Sequence, residues 1–488
     1  MNRSAALIVF AGLLSAPSFA QDAKSVIGAA SKAMGVENLS SITYYGSGAN
    51  FNLGQNNNAN APWPRVNAND YVRSIDFTQG LSRATWVTWA VPVTGGAATQ
   101  APGQQNVSPA NMTWGQQLEI WVTPWGFLKG AAANNATSKT QRVAGKRYQV
   151  VTWDSPIKSR GGQAYKVVGY INDQNLVEKT QTWVENPIFG DMLVETQYGF
   201  YRDKDGLKYP AQVVQSRGGW PVFEAFILGA NANPANIQQL TTIPPAPAGG
   251  PGGPGAPPPA DAPQSEKLAE GVYRIRGPYN ALAVELKDYI VLFEPGPQNE
   301  ARAQAIIAET KRVIPNKPIK YGVISHHHFD HTSGLPAVVA EGITIVTHEV
   351  NKSFLEKALA QPRTLAPDSM SKSGKKAVIE GISGDKRVFT DGTRTVEIHL
   401  IKGLPHADGL LVAYLPNEKI LAYADMFNLP PASTPVPSPP IVGTVVFADN
   451  IARLGLMPEK IMSVHSLNPD RLATMNDILS SLGRPTTN

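Results

Sequence analysis

The chain is interrupted near its middle by a stretch made almost entirely of proline, glycine and alanine, residues 241–264. Such a segment offers no side chains for a core, so it is expected to act as an extended linker. The chain of 488 residues is also too long for one ordinary core. We therefore predict two folded parts, a β-rich domain at residues 21–240 and a second domain at residues 265–488.

The two parts differ in which functional side chains they contain. All nine tryptophans lie before the linker, from Trp63 to Trp220, and all eight histidines lie after it, from His326 to His465. The chain has no cysteine, so a metal site must be built from His, Asp or Glu. Metal chemistry is therefore expected in the second part.

Residues 1–20 have the pattern of a cleavable secretory signal peptide. Arg3 precedes an apolar run at residues 5–14 that is too short to cross a bilayer, and Ser18 and Ala20 are the small residues that a signal peptidase recognises. We predict a periplasmic or secreted protein that begins at Gln21 and has no transmembrane segment; an uncleaved anchor is the alternative. The net charge of +5 is not concentrated in a basic cluster, so no nucleic-acid partner is expected.

The first part is predicted to be one curved antiparallel sheet with a helix against it. The spacing of apolar residues predicts a helix over 23–34 and strands at segments such as 41–45, 117–123 and 165–171, with an Asn-rich loop at 55–61. The segment 169–210, which ends in Gly206-Leu207-Lys208-Tyr209-Pro210, is similar to the half-barrels of periplasmic lipoprotein carriers. That resemblance implies a concave face able to hold an apolar ligand; the alternative is that the tryptophans fill a core.

The second part alternates helices and strands, which is typical of sheets covered by helices. Its central motif is His326-His327-His328-Phe329-Asp330-His331, directly after a predicted strand at 321–325. His326 and His328 can grip one ion from a loop, and Asp330 and His331 can face a second ion after the chain turns. Four of the eight histidines lie within these six residues. In an ordinary core, it would be hard to give so many neighbouring imidazole nitrogens hydrogen-bond partners.

Three further candidate ligands follow, each at a junction between a predicted strand and a loop: His406, Asp425 and His465. His327 is expected to point away from the metals, and His348 and His399 are expected to be structural. Asp408 is expected either to orient a ligand ring or to stabilise a turn.

From about Glu270 to the C-terminus, these motifs resemble the metallo-β-lactamase superfamily, in the style of its glyoxalase II-like and lactonase-like members. The resemblance implies an αββα sandwich with the metal site at one edge, and hence an α+β chain overall. It implies that one metal ion is bound by His326, His328 and His406. It implies a second ion on Asp330, His331 and His465, with Asp425 bridging both. Glu294 replaces the family's usual Asp and is expected to support the metal loop.

The resemblance implies a hydrolase with two zinc ions, and iron and manganese also suit the N/O ligands. A metal-activated hydroxide would attack an ester, a lactone or a related carbonyl of a small-molecule substrate, with Asp330 as the catalytic proton acceptor. Three alternatives stay open: a β-lactamase, a mono-iron dioxygenase-like enzyme, and an apolar-ligand-binding protein with a structural metal domain. The proline-rich loop at residues 430–440 is expected to form one wall of the substrate pocket.

Overall fold

The computed structural model describes residues 22–90, 99–108, 113–243, 264–431 and 434–486. The predicted signal peptide at residues 1–20 and most of the predicted linker lie outside these ranges. No helix within the described ranges is long and apolar enough to cross a membrane.

The first part of the chain forms one 11-stranded sheet in which every neighbouring pair of strands is antiparallel. Its strands are β1 (Ser41–Phe51), β2 (Arg65–Asp76), β3 (Leu81–Ala90), β4 (Thr99–Val107), β5 (Thr137–Val143), β6 (Lys146–Lys158), β7 (Ala164–Ile171), β8 (Val177–Asn186), β9 (Gly190–Lys204), β10 (Leu207–Arg217) and β11 (Trp220–Ala232). Their order across the sheet is β4-β3-β2-β1-β11-β10-β9-β8-β7-β6-β5, so the first and last strands meet in its middle.

The first part also contains four helices: α1 (Ala23–Met34), α2 (Trp114–Trp121), α3 (Pro124–Ala133) and α4 (Ile237–Thr241). Helix α1 buries Val26, Ile27, Ala30 and Met34, the three-to-four residue spacing of one helical face, against the sheet. Trp114, Trp125 and Trp153 lie in the same core and are at most 3% exposed. Tryptophans therefore fill this core, as the alternative interpretation holds, and the apolar ligand stays a prediction.

The predicted strand at residues 117–123 is wrong, because most of this segment belongs to helix α2. The alternation of Leu118, Ile120 and Val122 imitates a strand. A capping box between Thr113 and Gln116 nonetheless starts a helix just before it. The antiparallel sheet with a helix against it, predicted from the other segments, is confirmed, and its curvature stays a prediction.

The second part contains two further sheets. The seven-stranded sheet is ordered as numbered: β12 (Gln264–Ala269), β13 (Val272–Arg276), β14 (Ala281–Glu285), β15 (Ile290–Phe293), β16 (Ile319–Val323), β17 (Thr344–His348) and β18 (Ile379–Ile382). The five-stranded sheet is also ordered as numbered: β19 (Lys386–Thr390), β20 (Thr395–Leu400), β21 (Leu411–Leu415), β22 (Ile420–Tyr423) and β23 (Lys460–Ser463).

Seven helices accompany these sheets: α5 (Glu300–Val313), α6 (Phe329–Thr332), α7 (Leu335–Glu341), α8 (Glu349–Leu359), α9 (Ser369–Ser373), α10 (Val442–Arg453) and α11 (Met475–Ser481). Alternate residues of β14 face opposite layers: Leu282 and Val284 pack against the five-stranded sheet, and Ala281 and Ala283 against helices such as α5. Helices α10 and α11 cover the outer face of the five-stranded sheet. The predicted αββα sandwich is confirmed.

The strand directions bring the candidate ligands to one edge. Strands β22 and β23 are parallel, so Asp425 and His465, each two residues past the strand end, lie side by side. Strand β21 is antiparallel to β22, and its start, which His406 precedes, lies at the same end. The loop after β16 brings His326 to this edge from the other sheet.

Candidate metal centre

All seven residues that the sequence suggested as metal ligands are close together, in two groups. The first group is His326, His328 and His406, and the second is Asp330, His331, Asp425 and His465. Within each group the potential ligand atoms lie within 4.8 Å of one another. Each group can therefore hold one metal ion.

The carboxylate of Asp425 lies between the two groups. Its Oδ1 is 2.8 Å from Nε2 of His465, and its Oδ2 is 2.9 Å from Nε2 of His331. The same Oδ2 is 3.6 Å from Nε2 of His326 and 3.9 Å from Nε2 of His406, both in the first group. This carboxylate is therefore within reach of two ions at once.

The potential ligand atoms of the site suit a metal ion because most of them have no hydrogen-bond partner outside the site. Apart from their contacts with one another, five of them are buried and have no hydrogen-bond partner among the described residues: Nε2 of His326, His331, His406 and His465, and Oδ2 of Asp425. Unpaired buried polar atoms cost free energy, so native proteins rarely gather them at one point. Nitrogen and oxygen donors of this kind are the ligands that zinc and similar divalent ions prefer.

The electrostatics of the site also favour cations. Burial lowers the pKa of His328 to about 3, so its ring is neutral at ordinary pH, the form that binds metal. Burial opposes a charge on His331, but Glu294 and Asp425 outweigh it and raise the pKa of that ring. Among the described residues, the ion pairs of Glu294, Asp330 and Asp425 are all with histidines, none with lysine or arginine.

Two buried side chains behind the ligands orient their rings. Oε2 of Glu294 lies 2.8 Å from Nδ1 of His331, and its Oε1 accepts a 2.6 Å bond from the N–H of Ser325. Oγ of Ser325 lies 2.9 Å from Nδ1 of His326. Both rings therefore present Nε2 to the site, and Glu294 has the supporting position that the sequence predicted.

The structure adds three residues that the sequence analysis missed. Nε2 of Gln55 donates to Oδ1 of Asp330 at 2.9 Å, and the Tyr279 hydroxyl donates to Oδ2 of Asp330 at 3.2 Å. The Asn56 carbonyl oxygen lies 3.0 Å from Nε2 of His328. Residues 55–61 were predicted only as a loop, and the run of amide side chains there was the one available signal.

The remaining histidines have structural contacts. Nε2 of His327 lies 2.8 Å from the Asn56 carbonyl oxygen, and this ring belongs to neither group of potential ligands. His348 caps helix α8. Nε2 of His399 lies 2.8 Å from Oε2 of Glu397.

Some of the candidate ligands are buried and others are partly exposed to solvent. His326, His328 and His331 are at most 1% exposed. The side chains of Asp330 and His465 are each 30% exposed, and that of His406 is 33% exposed. A substrate would therefore approach over these three residues.

Residues 274–453 match the family model of the metallo-beta-lactamase superfamily. The C-terminal half of the chain therefore contains a domain of this superfamily, as the resemblance implied. A search of curated proteins gave no match.

Solved structures to which this chain is similar include two metallo-beta-lactamases. The one from Pontibacter korlensis has 18% identity and a TM-score of 0.33, over 45% of this chain and 97% of that one. The one from Erythrobacter litoralis has 17% identity and a TM-score of 0.32, over 46% of this chain and 95% of that one. A flavodiiron protein from Giardia intestinalis has 17% identity and a TM-score of 0.32, over 45% of this chain and 58% of that one.

Proposed function

We propose that this protein is an exported hydrolase with two metal ions, most readily zinc, that cleaves an ester, a lactone or a related carbonyl compound of small size. The observation that carries the proposal is the position of Asp425, whose carboxylate oxygens lie within 3.9 Å of histidines from both groups. A carboxylate shared by two metal ions suits dinuclear hydrolysis. It argues against a single-iron oxygenase, which needs one ligand group.

Two divalent ions held here would supply Lewis-acid activation of a water molecule and of the substrate carbonyl. Asp330 lies on the open side, with donors on both carboxylate oxygens from Gln55 and Tyr279. This carboxylate is held in one orientation, in which it can accept the proton of the attacking water. Burial raises the pKa of the Tyr279 phenol, which stays protonated; when substrate binds, its single proton can turn from Asp330 to a developing negative oxygen.

Three arguments favour the substrate class. The predicted export argues against glutathione thioesters, which are chiefly cytosolic. The absence of a basic cluster in the sequence argues against RNA. The bridging position of Asp425 favours lactonase or esterase chemistry over that of the β-lactamases, which lack such a carboxylate.

The test is a metal analysis of the full mature protein, purified without chelator, with a panel of chromogenic esters, lactones and β-lactams. We expect two metal ions per chain and hydrolysis of an ester or lactone. An Asp425→Ala variant should lose metal and activity, whereas Asp449→Ala, which alters an exposed carboxylate, should keep both. Cleavage of β-lactams alone, or one iron per chain without hydrolysis, would overturn the proposal in favour of the β-lactamase or the oxygenase alternative.

A further inference from the structure

The loop between strands β1 and β2 of the first part, residues 52–64, reaches into the metal centre of the second part. We call it the Asn loop. Its residues Ala59 and Trp63 are at most 3% exposed and lie in the same apolar core as helices α5 and α7. The loop is thus packed into the superfamily domain, although it lies before the predicted linker in sequence.

The Asn loop fixes the tautomer of one candidate ligand. The Asn56 carbonyl oxygen can only accept hydrogen bonds, and it lies 3.0 Å from Nε2 of His328. The proton of this neutral ring is therefore held on Nε2, and Nδ1 is left with the lone pair that a metal needs. Asn56 itself is fully buried, and its Nδ2 donates to the carbonyl oxygens of Asn58 and Ala61, which keeps the loop in shape.

The Asn loop also orients a ligand of the second group. Nε2 of Gln55 donates to Oδ1 of Asp330 at 2.9 Å. The other oxygen of Asp330, Oδ2, faces Nε2 of His331 at 3.3 Å and Nε2 of His465 at 3.6 Å. Gln55 thus occupies one carboxylate oxygen, and the other, which also accepts from the Tyr279 hydroxyl, faces the group.

A third contact fixes the segment that contains His406. Nδ2 of Asn57 donates to the Pro405 carbonyl oxygen at 2.7 Å, and the Asp408 N–H donates to the Asn57 carbonyl oxygen at 2.7 Å. Nδ2 of Asn58 donates to Oδ2 of Asp408 at 3.0 Å. Asp408 therefore joins this turn to the Asn loop, and the two roles that the sequence allowed stay predictions.

An aromatic side chain joins the loop to the metal motif. Phe329, between two candidate ligands, packs onto Gly54, and its ring meets Trp63 at 6.0 Å and Phe189 at 5.7 Å between centroids. A Cβ on Gly54 would lie 2.3 Å from Cγ of Phe329, so only glycine allows this approach. The metal motif is therefore seated on the first part of the chain by an aromatic contact as well as by hydrogen bonds.

A second contact region also joins the two parts of the chain. Arg363, which is 6% exposed, donates from Nη1 to the Pro187 carbonyl oxygen at 2.9 Å and from Nη2 to the Ile188 carbonyl oxygen at 2.6 Å. The Gly161 N–H donates to the Leu365 carbonyl oxygen at 2.6 Å. The β-rich part is thus held to the second part at two places, through the Asn loop and through the contacts of Arg363 and Leu365.

We infer that residues 55–58 of the Asn loop are positioning residues of the metal centre, acting on Asp330, His328 and the His406 segment. The β-rich part is then a component of the active centre, and the superfamily domain is incomplete without it. This inference rests on the proposed function, because it assumes that the two groups hold metal ions.

The test compares zinc binding by the full-length mature protein and three variants, through competition with a chromophoric chelator. Gln55→Leu keeps the size of the side chain and removes the bond to Asp330; Asn58→Ala removes the bond to Asp408. The control is Asn60→Ala, an exposed residue of the same loop whose side chain makes none of these contacts. Circular dichroism of the metal-free proteins checks that each is folded.

We expect each of the two variants to bind one of the two zinc ions about 10- to 100-fold more weakly, the usual effect of losing a supporting contact. The value of kcat should fall more than KM changes, because the ligands and not the substrate contacts are disturbed. If the wild type binds two zinc ions and Gln55→Leu, Asn58→Ala and Asn60→Ala all bind them as tightly as the wild type, the inference is overturned but the proposed function is not. A wild type that binds no zinc would overturn the proposed function with it.

Discussion

Oε2 of Glu294 and Nδ1 of His331 lie 2.8 Å apart, and both side chains are completely buried. A carboxylate behind a metal-binding imidazole fixes the ring and makes its other nitrogen more basic. The first prediction follows from this pair. Glu294→Gln should weaken zinc binding at the second group by about 10-fold or more, measured by chelator competition.

The control for this substitution is another Glu–His pair in the same domain. Oε2 of Glu397 lies 2.8 Å from Nε2 of His399, away from both ligand groups. Glu397→Gln should leave the zinc affinity unchanged. Equal losses in the two variants would contradict a specific role for Glu294.

The hydroxyl of Tyr279 is predicted to act in the reaction and not in metal binding. It donates to Asp330, and its ring lies 4.5 Å from the ring of His465. Tyr279→Phe keeps the ring and removes the donor. Because Gln55 still donates to Asp330 at the shorter distance of 2.9 Å, the zinc content should stay the same while kcat falls by about 10-fold or more. Tyr289→Phe, at a ring that packs on Tyr321, is the control. Zinc loss in Tyr279→Phe would show that the residue supports the metal site instead.

The contact between Gly54 and Phe329 can be tested with two glycines of similar backbone. Gly54 has φ +81 and Gly145 has φ +83, but a Cβ on Gly145 would meet nothing within 4 Å. Gly145→Ala should lower the free energy of unfolding by only about 1–2 kcal/mol, the cost of placing an alanine in left-handed backbone. Gly54→Ala should cost about 1–3 kcal/mol more because Phe329 must move. Urea unfolding measures both, and equal losses would speak against the contact.

The proline-rich loop at residues 430–440 follows Asp425 closely, and its described residues are mostly exposed. Shortening this loop should change the preference among ester and lactone substrates and leave the zinc content intact. The ratio of kcat/KM values across the substrate panel measures the change. Loss of metal from the shortened protein would count against its role as a pocket wall.

The candidate ligands could be found from the sequence because the chemistry is local in the chain. The spacing of His326, His328, Asp330 and His331 depends on one loop after one strand. Asp425 and His465 each stand two residues past a strand end, and His406 lies in the loop between β20 and β21. Helix α1 was likewise predicted at its observed bounds, since its apolar spacing and the following Gly35 are local signals.

The supporting contacts could not be found in this way. The Asn56 contact with His328 is made by a backbone carbonyl, which every residue has, so no residue type marks it. Helix α2 was missed for a different reason. The alternation of apolar residues at 118–122 outweighed a capping box that begins earlier, at Thr113.

The Asn loop has a consequence for the order in which this protein assembles. Its bonds to the second part join residues 271 to 351 positions apart, from Asn56–His327 to Asn57–Asp408. Closing such long loops costs more chain entropy than closing short ones, and distant contacts form slowly. The two halves should therefore collapse first and dock afterwards. Tight zinc uptake during refolding should lag behind the recovery of secondary structure, and its rate would time the docking of the two halves.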